Sequence, residues 1–495
     1  MLRNSKYIVI PGIFLILFII LFVVFKINHL QLPYFWDEAW SYIPAVFKMY
    51  EKRPTLIPGN VDPMLFRGHP LFFYFIESSW MKVAGTSIVS LKSLSLILSV
   101  LLMLATFYLG IIIKDAWFGL ICTICMSVQA IFVAQSSFVL PEVLVSLLTV
   151  GIFIAYFKKI VWMEIICSSL VLLTKESGIV IVVSVILFSF MEIAFPWFYE
   201  KNNDQNISIF TTSQRDNKIG ESVQRKILKL ILRFIPLLFF FIFIILQKKQ
   251  MGWFFFPEHI NMMTTDFSHF LKKLQRITTY IFIQQGRLYL TLLGAISFLY
   301  VLFRKRREMP IFYLLHILFF IIGYIIFSAL NFFANRYILS VLPFLVLIFV
   351  YPIFQLKGIS KWIPIALFLV IIIAIVRYTF TNKSPSDHTL GFVDAVKVDQ
   401  EVVQYCEQQH WENKIIMGYF LMHYYLNYPE IGYRGDTLSG SFQITPNLNS
   451  NPEIAIIPSL RLLDELIAIR NSPDWKLIKR FEKNQTWVEI YERRQ

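Results

Sequence analysis

Charge is what this sequence has least of. Asp, Glu, Lys and Arg make up 16% of the 495 residues, and the acids are the scarcer, 32 against 46 basic residues. Soluble domains carry about a quarter of their residues as charged ones, so this chain cannot clothe an ordinary globule in a polar surface. Cysteine is scarce too. Four residues do not make a disulfide framework, and Cys122 and Cys125 lie inside an apolar run, where they read as small side chains packed together rather than as a redox motif. The formal net charge of +14 does not point to nucleic acid, because the basic residues fall largely in short loops between apolar runs. No internal repeat is evident.

What the sequence has in abundance is apolar: 57% hydrophobic residues, 17% of all residues aromatic, and a mean hydropathy of +0.61. This is the make-up of an α-helical polytopic membrane protein. Runs long enough to cross a ~30 Å hydrocarbon core fall at 7–30, 88–113, 117–136, 141–157, 160–174, 178–196, 232–247, 288–303, 310–330, 337–354 and 363–380, about eleven spans. The first run is too long, and lacks the small-residue cleavage site, to be a cleaved signal peptide, and it is kept as a span. If the spans alternate, Arg3, Lys6, Lys158, Lys159, the 201–233 loop, Arg304 to Arg307, Lys357 and Lys361 share one face, which the basic residues mark as cytoplasmic. Glu200 to Glu221, polar and rich in Asn, Ser and Gln, reads as a loop on that face.

The division expected is a membrane domain over 1–380, with outer-face loops at 31–87 and 248–287, followed by an extracytoplasmic tail, 381–495. In the tail, helical patterns at 399–410 and 459–470, apolar runs at 414–419 and 453–457 and alternating segments at 476–482 and 486–492 predict a small α/β domain. It shows no metal or nucleophile signature. Two amphipathic segments of the first loop, 38–52 and 70–84, are expected along the outer interface.

One face of the membrane gathers the ionisable residues that end the spans. Asp37 and Glu38 follow the first; Arg67 and His69 precede the second; Glu142 opens the fourth; Lys175 and Glu176 link the fifth and sixth; Arg336 opens the tenth. Charges at the edge of hydrocarbon are costly unless paired or facing water, so a one-sided set in so apolar a chain marks a functional site. The plainer reading of each residue singly is an interfacial anchor or a helix cap; Asp37 and Glu38, for instance, would suit the first turn of a helix AWSYIPAVFKMY. The aromatics Tyr34, Phe35, Trp36, Trp40 and Tyr42 serve first as an interfacial belt.

In order, these segments are WDEAWSY (36–42), RGHPLFFYF (67–75), LPEVLVSLL (140–148), LLTKESG (172–178) and NRYILSVLP (335–343). Over about the first 350 residues the set resembles the GT-C class of membrane glycosyltransferases, specifically the family 39-like group that includes protein O-mannosyltransferases and the aminoarabinose transferase that modifies lipid A. The resemblance implies transfer of a sugar from a polyprenyl phosphate to a glycan, lipid or protein acceptor on the non-cytoplasmic side of the inner (plasma) membrane. It makes Asp37 the catalytic carboxylate, with Glu38 as its neighbour, and places Glu142 where the family usually carries an Asp. Because the leaving lipid phosphate gains about one negative charge as the glycosidic bond breaks, Lys175, Arg336 and His69 are expected beside it, with Arg67 and Tyr337 of the same motifs. Lys175 and Arg336 are read as lying at a rim open to water, so that removing either weakens donor use without unfolding the protein.

A monophosphate leaving group does not oblige a metal, so the sequence fixes no cofactor and leaves a divalent cation open. His259, close to Glu258 in the second long outer loop, is a candidate ligand or donor contact, though a lone loop histidine is more often a surface residue. If the acceptor is a hydroxyl, Asp37 suits a general base; if it is a phosphate, Asp37 positions groups. Two other classes share the polytopic make-up. A transporter would carry its polar groups near the bilayer midplane in repeated halves, and a non-catalytic scaffold would have no use for the acids.

Overall fold

The computed structural model describes residues 2–195, 222–305, 311–356, 359–435, 441–446, 448–460 and 464–494. The loop expected over 200–221, and Arg306, Arg307 and Lys357, lie outside them. Each apolar run read from the sequence forms helix. The first is α1 (Leu2–Ile27). Two interfacial-type helices follow, α2 (Ile43–Lys52) and α3 (Phe72–Ala84), packed on each other with Tyr42 stacked on Tyr74 at 5.6 Å. Then come α4 (Ile88–Ile113), α5 (Ala116–Ser127), α6 (Ala130–Gln135), α7 (Glu142–Phe157), α8 (Val161–Thr174) and α9 (Ile179–Ala194). The bundle is completed by α10 (Val223–Leu232), α11 (Ile235–Met251), α12 (Phe267–Phe282), α13 (Leu288–Lys305), α14 (Ile311–Leu330), α15 (Leu342–Gln355) and α16 (Trp362–Thr381). Starts are set by side-chain caps: Ser87, Asp115 and Asp266 each accept a backbone N–H from three residues on.

Among the described residues six stretches are long and apolar enough to cross a membrane, and five further apolar helices are shorter. The chain is a multi-pass membrane protein. The short helices include α7 and α8, which end at the residues of interest. Sixteen residues of α7 reach only about 24 Å, less than a ~30 Å hydrocarbon core. One expected span, 117–136, is broken. Between α5 and α6 the chain unwinds at Val128 and Gln129; Thr379 Oγ1 donates to the freed Val128 carbonyl at 2.9 Å, and Arg287 Nη1 holds the Gln129 side chain through Oε1 at 3.0 Å.

The tail is the small α/β unit expected. A helix, α17 (Phe392–Gln408), lies against a five-stranded mixed sheet of order β2-β1-β3-β5-β4, built from β1 (Ile415–Gly418), β2 (Gln443–Thr445), β3 (Ile454–Pro458), β4 (Trp475–Lys483) and β5 (Thr486–Arg493). The centre pairs in parallel and the edge formed by β5 and β4 is antiparallel. Two elements were not read from the sequence, β2 and α18 (Phe420–Asn427). The second matters, because Phe420 packs edge-on against Trp36 and Trp40 and so docks the tail onto the first loop.

Candidate active site

The WDE segment is shaped by two backbone departures. Trp36 adopts a left-handed conformation (φ 52°) and Glu38–Tyr42 form a π-helical turn. Both are uncommon for such residues and gather at sites where a side chain must be aimed. Asp37 sits between them with its carboxylate turned to a guanidinium. Trp40 Nε1 donates to its Oδ1 at 2.9 Å, and Arg336 Nη2 to its Oδ2 at 2.5 Å. The side chain keeps 17% of its surface exposed, enough for a reactant to reach it.

Arg336 is held on a 3₁₀ turn, Asn335–Ser340, before α15. Each of its nitrogens finds a different carboxylate. Nη2 donates to Asp37, Nε donates to Glu142 Oε1 at 3.2 Å, and Nη1 donates to Asp387 Oδ2. Glu142, the first residue of α7, accepts on the same Oε1 from Lys175 Nζ at 2.8 Å, while its Oε2 meets no protein donor. Lys175 also lies 3.5 Å from the centre of the Tyr337 ring.

Asp387 was not a sequence candidate. It lies in the loop between α16 and the tail, where His388 Nδ1 sits 3.2 Å from Oδ1 and Gln135 Nε2 donates to the Asp387 carbonyl at 2.7 Å. Burial pushes its pKa up, but Arg336 and then His388 more than offset this and hold the carboxyl below its ordinary range. The signal was available in SPSDHTL, a polar stretch directly after the last span on the face that carries every other candidate.

A second set stands beside the first. His69 Nδ1 lies 2.9 Å from Glu176 Oε2, and its ring is 5.2 Å from that of His259. Arg67 bonds Glu258 at 3.0 Å and stacks over Trp40 at 5.2 Å. The turn between Arg67 and His69 requires glycine: Gly68 has φ +74°, and a Cβ there would meet Trp253 and Phe256 at 3.0–3.1 Å. His259 is thus part of the cluster rather than an ordinary surface residue. Burial, with His69 adding, pushes its imidazole down to about 4, so at neutral pH it is uncharged.

These residues edge a cavity of about 370 Å³. Its wall carries the polar residues His69, Lys175, Glu176 and Tyr337 and the apolar residues Phe240, Phe255, Phe256, Ile260, Met263, Phe327 and Phe332; Lys175 is buried, whereas Phe255, Ile260, Met263 and Phe332 are exposed. A largely apolar cavity with a few charged groups in its wall fits an amphiphile whose head group carries a charge.

Burial bears on two expectations. Glu38 was expected as the neighbour of Asp37 in the site. It is fully buried, accepting Phe35 N–H at 3.0 Å on one oxygen and Val139 N–H at 2.6 Å on the other, and so braces the loop of Asp37 against the loop before Glu142. Burial pushes its pKa up, against the pull of Lys92 and the two N–H groups. Lys175 and Arg336 are not at an open rim, since each is only 5% exposed. Among the described residues no group of three or more His, Cys, Asp or Glu is arranged to hold a metal ion; the space between the three carboxylates is filled by the Arg336 guanidinium.

No family model and no curated protein matches the chain. Solved structures do. ArnT from Cupriavidus metallidurans superposes in its apo state with a TM-score of 0.54 at 11% identity, covering 96% of this chain and 97% of that one. The same protein bound to undecaprenyl phosphate gives 0.53 at 12% identity, covering 96% and 98%. The oligosaccharyltransferase of Archaeoglobus fulgidus in its apo form follows at 0.49 and 14% identity, covering 85% of this chain and 64% of its own. The likeness to ArnT runs through both the helical bundle and the tail, and the GT-C fold expected from the sequence motifs is the fold this chain has.

Proposed function

We propose that this protein is a membrane glycosyltransferase that moves a sugar from a polyprenyl-phosphate donor to an acceptor outside the cytoplasm. The observation that carries the reading is the adjacency of three things: an apolar cavity, Lys175 in its wall, and a partly open carboxylate, Asp37, joined to that lysine through Arg336 and Glu142. The ArnT structure with undecaprenyl phosphate supports the donor class. In this reading the prenyl chain takes the phenylalanine-lined slot and Lys175 stabilises the phosphate as its charge grows. Asp37, on the far side of Arg336, accepts the proton of an acceptor hydroxyl. Glu142 and Arg336 fix the two working groups relative to each other. The polar cluster lies at one end of the bundle rather than at its middle, unlike a transporter site.

The donor side is tested by Lys175→Ala. Loss of a charge-assisted contact to phosphate typically amounts to about 1.5–3 kcal/mol, so kcat/KM for a short-chain polyprenyl-phosphate sugar should fall by about ten- to a hundred-fold. Some loss of thermal stability should accompany it, as Lys175 is buried against Glu142. Unchanged kinetics would leave Lys175 a structural partner of Glu142 alone.

The side of the membrane is tested through the tail. Of the four native cysteines, Cys122, Cys125 and Cys406 are buried and Cys167 is partly so, which gives a quiet background. A cysteine placed at the exposed β4–β5 turn, Gln485→Cys, should react with an impermeant maleimide in cells whose inner membrane is intact. Labelling only after that membrane is broken would reverse the orientation.

A further inference from the structure

The first helix is the least covered of the six long apolar stretches: 17% of its span is buried inside the bundle, against 28–50% for the others. Leu17, Leu21 and Val24, 52–69% exposed, follow helical spacing along one side of it, and Asn28 stands where the next turn of that row falls. From Leu17 to Asn28 the row measures about 16 Å, roughly one leaflet of a ~30 Å hydrocarbon core. At its end a cavity of about 310 Å³ opens between α1 and the tail helix α17, with Val24, Phe25, Asn28 and His29 on one wall and Val393 and Lys397 on the other. Lys26 is engaged elsewhere, donating to the Val133 carbonyl and to Ser137 Oγ, both at 2.8 Å. Lys397 is exposed and, among the described residues, makes no hydrogen bond or ion pair, whether with Glu401 one turn along or with any other group. Asp394 and Asp399 of the same helix are turned to Asn484 and Tyr419. Among the described residues no acid lines the cavity.

We infer that this cavity seats the head group of an anionic phospholipid from the leaflet on the tail's side. The Lys397 ammonium meets the phosphate, the Asn28 amide meets the polar head group, and an acyl chain lies along Val24, Leu21 and Leu17. Charge complementarity selects the head group: the wall offers an ammonium and no carboxylate, which favours a lipid of net negative charge over a zwitterion that brings an ammonium of its own. The apolar row selects a lipid over a free anion, which would find Lys397 but have no use for three exposed apolar turns below it. So placed, the lipid bridges α1 and the tail. The reading is independent of the proposed reaction, since it uses none of that site's residues.

The test is native mass spectrometry of the full chain in detergent, titrated with phosphatidylglycerol or phosphatidylcholine. Phosphatidylglycerol should be retained at lower concentration than phosphatidylcholine, and Lys397→Gln should weaken its retention about five-fold, or about 1 kcal/mol at 1.4 kcal/mol per tenfold. Lys397→Arg keeps the charge and should keep the lipid, which separates lost binding from lost folding. Leu21→Ser/Val24→Ser should weaken both lipids alike, and Lys175→Ala should leave the adduct in place. Equal retention of the two lipids, or of phosphatidylglycerol by wild type and Lys397→Gln, would overturn the assignment. So would displacement of the adduct by millimolar inorganic phosphate, or its loss in Lys175→Ala, which would place it in the catalytic cavity.

Discussion

Asp37→Asn should lower turnover by roughly 10²–10⁴, the range for a positioned acid–base group, while the protein folds and binds donor as before. The substitution keeps the size of the side chain and one accepting oxygen, for which Trp40 Nε1 and Arg336 Nη2 then compete. Arg336 retains two other carboxylates, so no buried charge is stranded. What is lost is the negative charge and basicity of the only one of the three acids that combines the first-loop position with a partly open side chain. The measurement is transfer of sugar from an undecaprenyl-phosphate-linked donor by purified protein, with kcat and KM separated: a base acts on kcat, whereas a group that merely holds donor acts on KM. An Asn variant with wild-type turnover would remove Asp37 from the chemistry and leave it a partner of Arg336.

Glu38→Gln, assayed beside it, should behave in the opposite way. An amide has one accepting oxygen, so it turns its NH₂ towards either Phe35 N–H or Val139 N–H, both of which now donate to the carboxylate. Leaving a buried donor unmet costs about 1–3 kcal/mol. The variant should unfold at a lower temperature and keep most of its turnover, because the Glu38 side chain is fully buried and out of a reactant's reach. Loss of turnover at unchanged stability would return Glu38 to the reactive group.

That distinction shows where sequence reading stops. The eleven apolar runs translate directly into helices because hydrocarbon allows little else for an apolar backbone, and the alternating segments near the C-terminus give β4 and β5 for a similarly local reason. The break at Val128–Gln129 was hidden because its residues look like those around them; its partners, Thr379 at the Val128 carbonyl and Arg287 at the Gln129 side chain, come from far along the chain. The site shows the same limit. The residue types that end the spans were legible, and so was their shared face. Which of them touch was not: Arg336 gathers Asp37 from 299 positions away and Glu142 from 194. Strand β2, three residues long, is too short for any periodicity to show. Glu38 looked equivalent to Asp37 because adjacent acids carry the same chemistry, and only the π-helical turn sends one to solvent and the other to the core.

Arg336→Gln should be the most destabilising of these changes, by about 3–5 kcal/mol, the usual result of removing one partner from a buried ion pair. The guanidinium is 5% exposed and its three donors serve Asp37, Glu142 and Asp387; a glutamine can donate to two at most and neutralises none. The three carboxylates would then repel one another in a site that water hardly enters. Asp387 can relieve this by taking up a proton, which fixes the pH dependence. In the native protein the Asp387 pKa is depressed, so its contribution to stability is present above the unfolded carboxylate pKa near 4 and is lost as pH falls through that range. In the variant Asp387 loses the guanidinium that holds its pKa down and keeps the burial that pushes it up, and the sign reverses: stability is recovered on acidification and lost as pH rises. Unfolding temperatures measured in detergent between pH 8 and pH 5 should therefore rise for Arg336→Gln and stay nearly flat for wild type. Arg336→Lys restores a charge but only as a point on a flexible stem, without the planar fork that reaches three directions, and should recover part of the stability. Parallel pH profiles for wild type and Arg336→Gln would mean that the three carboxylates do not depend on this guanidinium, and the arrangement that joins Asp37 to Lys175 would fall with it.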